Sequence, residues 1–237
     1  IDLDSQDLDL SGLGWSEEEL DAILDQPEEG GEYDEGRVPD VQADVVSKSG
    51  EVYQLGPHRL ICGDCTLPDV WDALMGEELL RCVWTDPPYG VSVNVVKSVD
   101  EAKALHRRTD GLIVSNDAMT PNETATLWSD AFTQLQRFSE PGAAWYASTA
   151  FRSDLWAELV PVMNRFGCKR MLVWVKDRFV MGRGDYHYRH EPIFHGWFSG
   201  AARLHPVPRD VDTVFECERP GASKEHPTMK PVQLIRP

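Results

Sequence analysis

The sequence predicts an α/β domain with a mainly parallel sheet covered on both faces by helices. Three observations predict it. Strand-length apolar runs (80–85, 143–148, 170–176 and 192–198) alternate with segments of helical period. Helix start and stop signals bracket those segments, with Pro121 just inside one start and Gly167 just past one end. The 237 residues, 41% hydrophobic and 27% charged, match one α/β domain or one domain with appendages, and they exclude wholesale disorder.

The elements follow in order. Residues 1–24 alternate acids with leucines. Ser16 and Glu19 form a capping box ahead of Leu20, Ile23 and Leu24 on one helical face. This segment is expected to be the tail of a preceding domain. Residues 25–47 are acidic, with Gly and Pro and few apolar groups, as in a linker. The main domain is expected over 48–237. Val52 to Leu55, a turn at Gly56-Pro57-His58, and Arg59 to Gly63 suggest a hairpin. Asp69 to Met75 is a short helix. Leu80 to Thr85 suits a buried parallel strand. Thr120-Pro121-Asn122-Glu123 is a second capping box, opening a helix with Leu127, Ala131, Leu135 and Phe138 on one face. Ala143 to Ser148 is the next strand. Ser153 to Phe166 is helical, strained by Pro161 and stopped by Gly167. Arg170 to Lys176 and Pro192 to Phe198 complete the strand set.

Charge is unevenly placed. The net charge is -17, yet residues 1–36 hold 14 acids and no Lys or Arg. The rest carries 26 acids against 23 bases. Within it, residues 165–209 hold nine bases and three acids. Such a stretch reads either as a polyanion-binding face or as a solvated surface. No apolar run approaches the roughly 20 residues of a membrane span, and no signal peptide is visible. Five scattered cysteines fit a reducing cytosol better than a disulfide scaffold. Cys62-Gly-Asp-Cys65 lacks the second ligand pair that a zinc site needs, so no metal is expected.

The sharpest feature is Asp86-Pro87-Pro88-Tyr89-Gly90, directly after the 80–85 strand. Open α/β sheets place their sites at the carboxyl ends of strands. Two prolines stiffen the backbone and remove two donors, leaving a carboxylate, one or two free carbonyls and an aromatic face. This set suits a planar ring bearing an amino group. Asp86 and the Pro87 carbonyl can accept the amino hydrogens while Tyr89 stacks on the ring. Two acceptors draw such a nitrogen toward sp³ geometry and localise its lone pair for attack on a methyl group. The catalytic terms are orientation and electrostatic stabilisation.

Asp86-Pro87-Pro88-Tyr89 resembles the catalytic motif of amino-methylating DNA methyltransferases, which use S-adenosyl-L-methionine. His226-Pro227-Thr228-Met229-Lys230-Pro231 resembles the H-P-T-x-K-P segment of the same family. The order of the two resembles the circularly permuted β class. The resemblance covers roughly residues 50–237 and implies a Rossmann-like class I methyltransferase sheet. Residues 1–47 resemble the end of a ParB-like domain plus a linker. The resemblance also implies a glycine-rich cofactor loop beyond Pro231, and none stands in residues 1–237. The chain starts at Ile1 and stops at Pro237 within a pattern, so it reads as a fragment. Lacking that loop and two strands, it is expected neither to bind cofactor well nor to fold stably alone.

The resemblance implies further roles. Asp64 is placed to meet the cofactor's adenine, with a helix-capping role as the alternative. His226, Thr228, Lys230 and Pro231 are implied beside the cofactor, the alternative being a proline-punctuated turn. Asp185-Tyr-His-Tyr-Arg-His190 combines aromatic, His and Arg groups, which suit base stacking and phosphate contact. With Arg183 nearby, Tyr186, His187 and Arg189 are the DNA-binding candidates, while His187 and His190 as metal ligands lack a clear third partner. Double-stranded DNA is the implied partner, with its base flipped toward Asp86. Adenine N6 is the implied target because Asp stands first in the motif, and cytosine N4 stays open. A silent DNA-binding module and an RNA or protein amino-methylase are the other readings. A cytoplasmic location, a place beside a restriction system and a homodimer complete the expectations.

Overall fold

The structure, a computed structural model, describes residues 47–90, 118–180, 185–204, 210–218 and 230–235. All belong to one compact unit, Asp40–Pro237. The expected tail over 1–24 and the linker up to residue 46 lie outside the described residues.

Strands β1 (Val52–Leu55) and β2 (His58–Ile61) form the expected antiparallel hairpin, as a sheet of their own. Helix α1 (Pro68–Met75) follows. Arg59 of β2 holds its end by donating to the Met75 carbonyl at 3.3 Å and pairing with Glu78 at 3.0 Å. Then come β3 (Leu80–Thr85), α2 (Pro121–Arg137), β4 (Ser139–Ser148) and α3 (Ser153–Arg165). Strands β5 (Cys168–Val180), β6 (Tyr188–Trp197) and β7 (Val214–Glu216), with the single-turn α4 (Val232–Ile235), complete the described elements.

The main sheet has the order β3-β4-β6-β5-β7. Pairs β3–β4 and β5–β7 are parallel, whereas β4–β6 and β5–β6 are antiparallel. The expected mainly parallel sheet is therefore corrected to a mixed one. The cause is chain length. Only residues 181–187 separate β5 from β6, too few for a crossover of a dozen or more residues, so β6 returns antiparallel.

The core sits between one sheet face and the two long helices. Trp145, Ala147 and Phe194 of the sheet meet Phe132 of α2 and Leu155, Leu159 and Met163 of α3. On α2 the buried stripe runs through Ala125, Trp128, Phe132 and Leu135, a rotation from the expected stripe. Trp128 and Phe132 carry the larger apolar surface and take the interior. Gly167 ends α3 at φ +82°, where any Cβ would stand 2.4 Å from the Trp197 carbonyl oxygen. Helical cover differs between the two faces. On the second face, among the described residues, the short α4 places Leu234 against Leu172, Trp174 and Ile193. One turn of helix spans only that part of the face. Farther along, Trp84 and Tyr146 stack at 5.3 Å, half-buried. No described helix is long and apolar enough to cross a membrane.

Candidate active site

Strand β3 delivers the Asp86–Gly90 corner to the carboxyl end of the sheet. Helix α2 then clamps it. The capping box forms as expected, with the Thr120 amide donating to Glu123 Oε2 at 2.8 Å and the Glu123 amide donating to Thr120 Oγ1 at 3.3 Å. One turn on, Trp128 Nε1 donates to the Pro88 carbonyl at 3.0 Å. Arg152 Nη1 donates to the Gly90 carbonyl at 2.8 Å and is itself paired with Asp154 at 2.6 Å. Gly90 has φ +64°, and a Cβ there would lie 2.5 Å from Thr124 Oγ1 and 2.8 Å from the Met119 carbonyl oxygen. Only glycine closes this corner against the helix. Of the one or two free carbonyls expected, one remains among the described residues. The Pro88 carbonyl is taken by Trp128, while no described donor reaches the Pro87 carbonyl.

Both Asp86 oxygens are engaged. The Tyr89 hydroxyl donates to Oδ1, and Lys230 Nζ lies 2.9 Å from Oδ2. Lys230 also donates to the Tyr89 hydroxyl at 3.4 Å and sits 3.3 Å from Glu191 Oε2. Lys176 Nζ donates to Glu191 Oε1 at 2.6 Å. Register explains the cluster. Glu191 of β6 pairs with Trp174 of β5, and Lys176 is two residues farther along β5 on the same face. Burial, then the Asp86 and Glu191 carboxylates, holds the Tyr89 phenol well above its usual range, so it stays a neutral donor. Burial pushes Glu191 up, but Lys230 and Lys176 together outweigh it and leave the carboxyl below its usual range.

A cavity of about 440 Å³ opens beside the corner. Asp86, Pro87 and Pro88 line it with Trp84, Cys65 and Trp71, and Tyr89 is not among its walls. Leu127 and Ala131, expected in the core, line it too. The Trp84 indole N–H is buried with no acceptor among the described residues.

The other candidates fall in different places. Asp64 accepts from the Thr66 amide at 2.9 Å and the Thr66 hydroxyl at 2.7 Å, and these bonds lower its pKa. It does not cap α1, whose N-cap is Leu67 with no side-chain bond. Its neighbour Cys65 lines the cavity. Pro231 is buried and its carbonyl accepts from the Leu234 amide at 3.1 Å. His226, Thr228 and Arg183 lie outside the described residues. Tyr186 is 90% exposed near the β5–β6 turn. His187 stacks on Phe179 at 5.1 Å, and Arg189 Nε donates to the Lys176 carbonyl at 3.0 Å.

Among the described residues the basic stretch does not form one face. Lys176 is buried against Glu191, and Arg178 pairs with Asp177 toward the turn. Lys169 and Arg203 lie over Trp197 at the opposite end of the hairpin. Lys176, Glu191, Trp128 and Arg152 were not singled out as site residues from sequence. An acid heading the apolar Pro192–Phe194 run was the one available hint. Cys62 and Cys65 are free and exposed, and the described residues hold no group of three metal-ligating side chains.

No family model and no curated protein matches this sequence. The chain is similar in part to solved structures at low identity. M1.HpyAVI, in its complex with SAM, is 14% identical with a TM-score of 0.42, over 68% of this chain and 65% of that one. A candidate DNA modification methylase from Thermus thermophilus, complexed with S-adenosyl-L-methionine, is 13% identical with a TM-score of 0.39, over 65% of this chain and 66% of that one. This chain thus spans just under two thirds of the length of both.

Proposed function

We propose that this protein methylates an exocyclic amino group in double-stranded DNA, with S-adenosyl-L-methionine as donor and adenine N6 as the target. The observation that carries the reading is the 2.9 Å pairing of Lys230 with Asp86. It joins two motifs, 144 residues apart, that each resemble segments of one enzyme family. Asp86 and the Pro87 carbonyl accept the amino hydrogens of the flipped base and direct the nitrogen's lone pair. Trp128 and Arg152 keep those acceptors from moving, so little reorganisation accompanies the reaction. Tyr89 packs on the base, offsetting by ~1–3 kcal/mol the few kcal/mol that flipping costs. Tyr186, His187, Arg189 and Arg183 meet the duplex.

The cavity suits the cofactor. Its volume of about 440 Å³ is in the range of small-molecule sites, it adjoins Asp86, and Trp84 brings an indole N–H with no acceptor among the described residues. When bound, the cofactor supplies a methyl group on a positive sulfur. Asp64, beside the cavity wall at Cys65, would hold its adenine amino group, with His226, Thr228 and Pro231 near its other end.

The test is transfer of a labelled methyl group to duplex DNA by the full-length chain and by Asp86→Ala, with nucleosides resolved after digestion. Label in N6-methyldeoxyadenosine, lost in the variant while duplex binding persists, is expected. Label in N4-methylcytosine would correct the target base. Binding without transfer would leave a silent DNA-binding module.

A further inference from the structure

Asp86 must accept hydrogen bonds from a base, yet its Oδ2 is occupied by Lys230 and its Oδ1 by Tyr89. An ammonium on the carboxylate draws off its negative charge and blocks one approach. Lys230 is 7% exposed, so it cannot retreat into water, and leaving Asp86 without another anion would strand a buried charge. That anion stands beside it. Glu191 Oε1 is taken by Lys176 at 2.6 Å. Glu191 Oε2 is buried and already pairs with Lys230 at 3.3 Å, a longer contact than the 2.9 Å one to Asp86, and among the described residues it receives no aligned hydrogen bond. It is an acceptor held ready for the ammonium that Asp86 must release. Two carboxylates and two ammonium groups balance, so moving Lys230 from one anion to the other needs no proton and no ion from solvent.

We infer that Glu191, held by Lys176, is a positioning residue that takes Lys230 from Asp86 as the target base enters, an inference that rests on the function proposed above. Lys230 is a two-position latch. On Asp86 it keeps the empty corner neutral, and on Glu191 it exposes the acceptor to the amino group.

The test uses the full-length chain, with the unmodified duplex for kcat and a duplex carrying 2-aminopurine next to the target base for base capture. Glu191→Gln should weaken base capture, read as 2-aminopurine fluorescence, and lower kcat about tenfold, with the duplex KM little changed. Glu191→Asp should recover most of both. In a Lys230→Met background, Glu191→Gln should have no further effect, because Glu191 acts only through Lys230. A purely structural role for Glu191 predicts equal losses in both backgrounds, and that result overturns the inference. So does a Glu191→Gln chain with wild-type base capture. If Glu191→Gln fails to fold, Glu191→Asp in the two backgrounds gives the same comparison, with a smaller loss expected only where Lys230 is present. A wild-type chain that neither captures nor methylates a base overturns the functional reading itself, and the latch with it.

Discussion

Trp128 donates its indole N–H to the Pro88 carbonyl at 3.0 Å, tying helix α2 to the second proline of the corner 40 residues earlier. The bond consumes the Pro88 carbonyl, and no described donor reaches the neighbouring one on Pro87. It also fixes the direction in which that carbonyl points.

Trp128→Phe should therefore lower methyl transfer by about ten- to a hundredfold, since small misplacements of reacting groups are costly. The unpaired carbonyl should cost ~1–3 kcal/mol of stability. Single-turnover rates and denaturant titration on the same preparation check both. An unchanged rate with reduced stability would restrict Trp128 to a packing role.

Gly90→Ala meets two penalties. The left-handed backbone costs ~1–2 kcal/mol for a residue with a side chain. The added carbon would also sit 2.5 Å from Thr124 Oγ1. A loss of about 2–4 kcal/mol is expected, with Tm falling by several degrees. Calorimetry of the variant measures it, and a shift under one degree would mean that the corner relaxes freely.

Tyr186 is 90% exposed, so its removal costs the fold little. Tyr186→Ala should leave Tm unchanged and weaken duplex binding by about tenfold, the scale of one lost stacking contact. Fluorescence anisotropy with labelled duplex at fixed salt decides it. Equal affinity would move the DNA-binding surface elsewhere.

His195 is buried with Nδ1 3.0 Å from the Trp145 carbonyl oxygen. Burial, aided by Arg170 and Arg203 and opposed by that carbonyl, holds it below its usual 6.5. The folded state thus binds fewer protons than the unfolded state just below that value. Stability should be full above pH 6.5 and should fall as pH drops through the depressed pKa. His195→Gln should flatten this part of the Tm profile between pH 5 and 7, and an equally steep decline in the variant would assign it to other groups.

What was legible from sequence was short-range. The hairpin at 52–61, the capping box at Thr120 and the helix stop at Gly167 follow from neighbours within four residues, and each stands where those residues put it. The rigid corner after β3 was legible for the same reason, because two prolines restrict φ whatever surrounds them. The rotated stripe of α2 and the mixed sheet were not, since both depend on which surfaces the chain brings together.

By itself the sequence determined strands β1 to β6, helices α1 to α3 and the stiff proline corner at Asp86-Pro87-Pro88-Tyr89. Only the tertiary structure decided that Lys230 reaches Asp86, that Lys176 is a buried partner rather than a surface charge, and that Glu191 stands between them. Backbone preferences act within a few residues, whereas an ion pair is set by strand register and burial, which exist only once the sheet has formed.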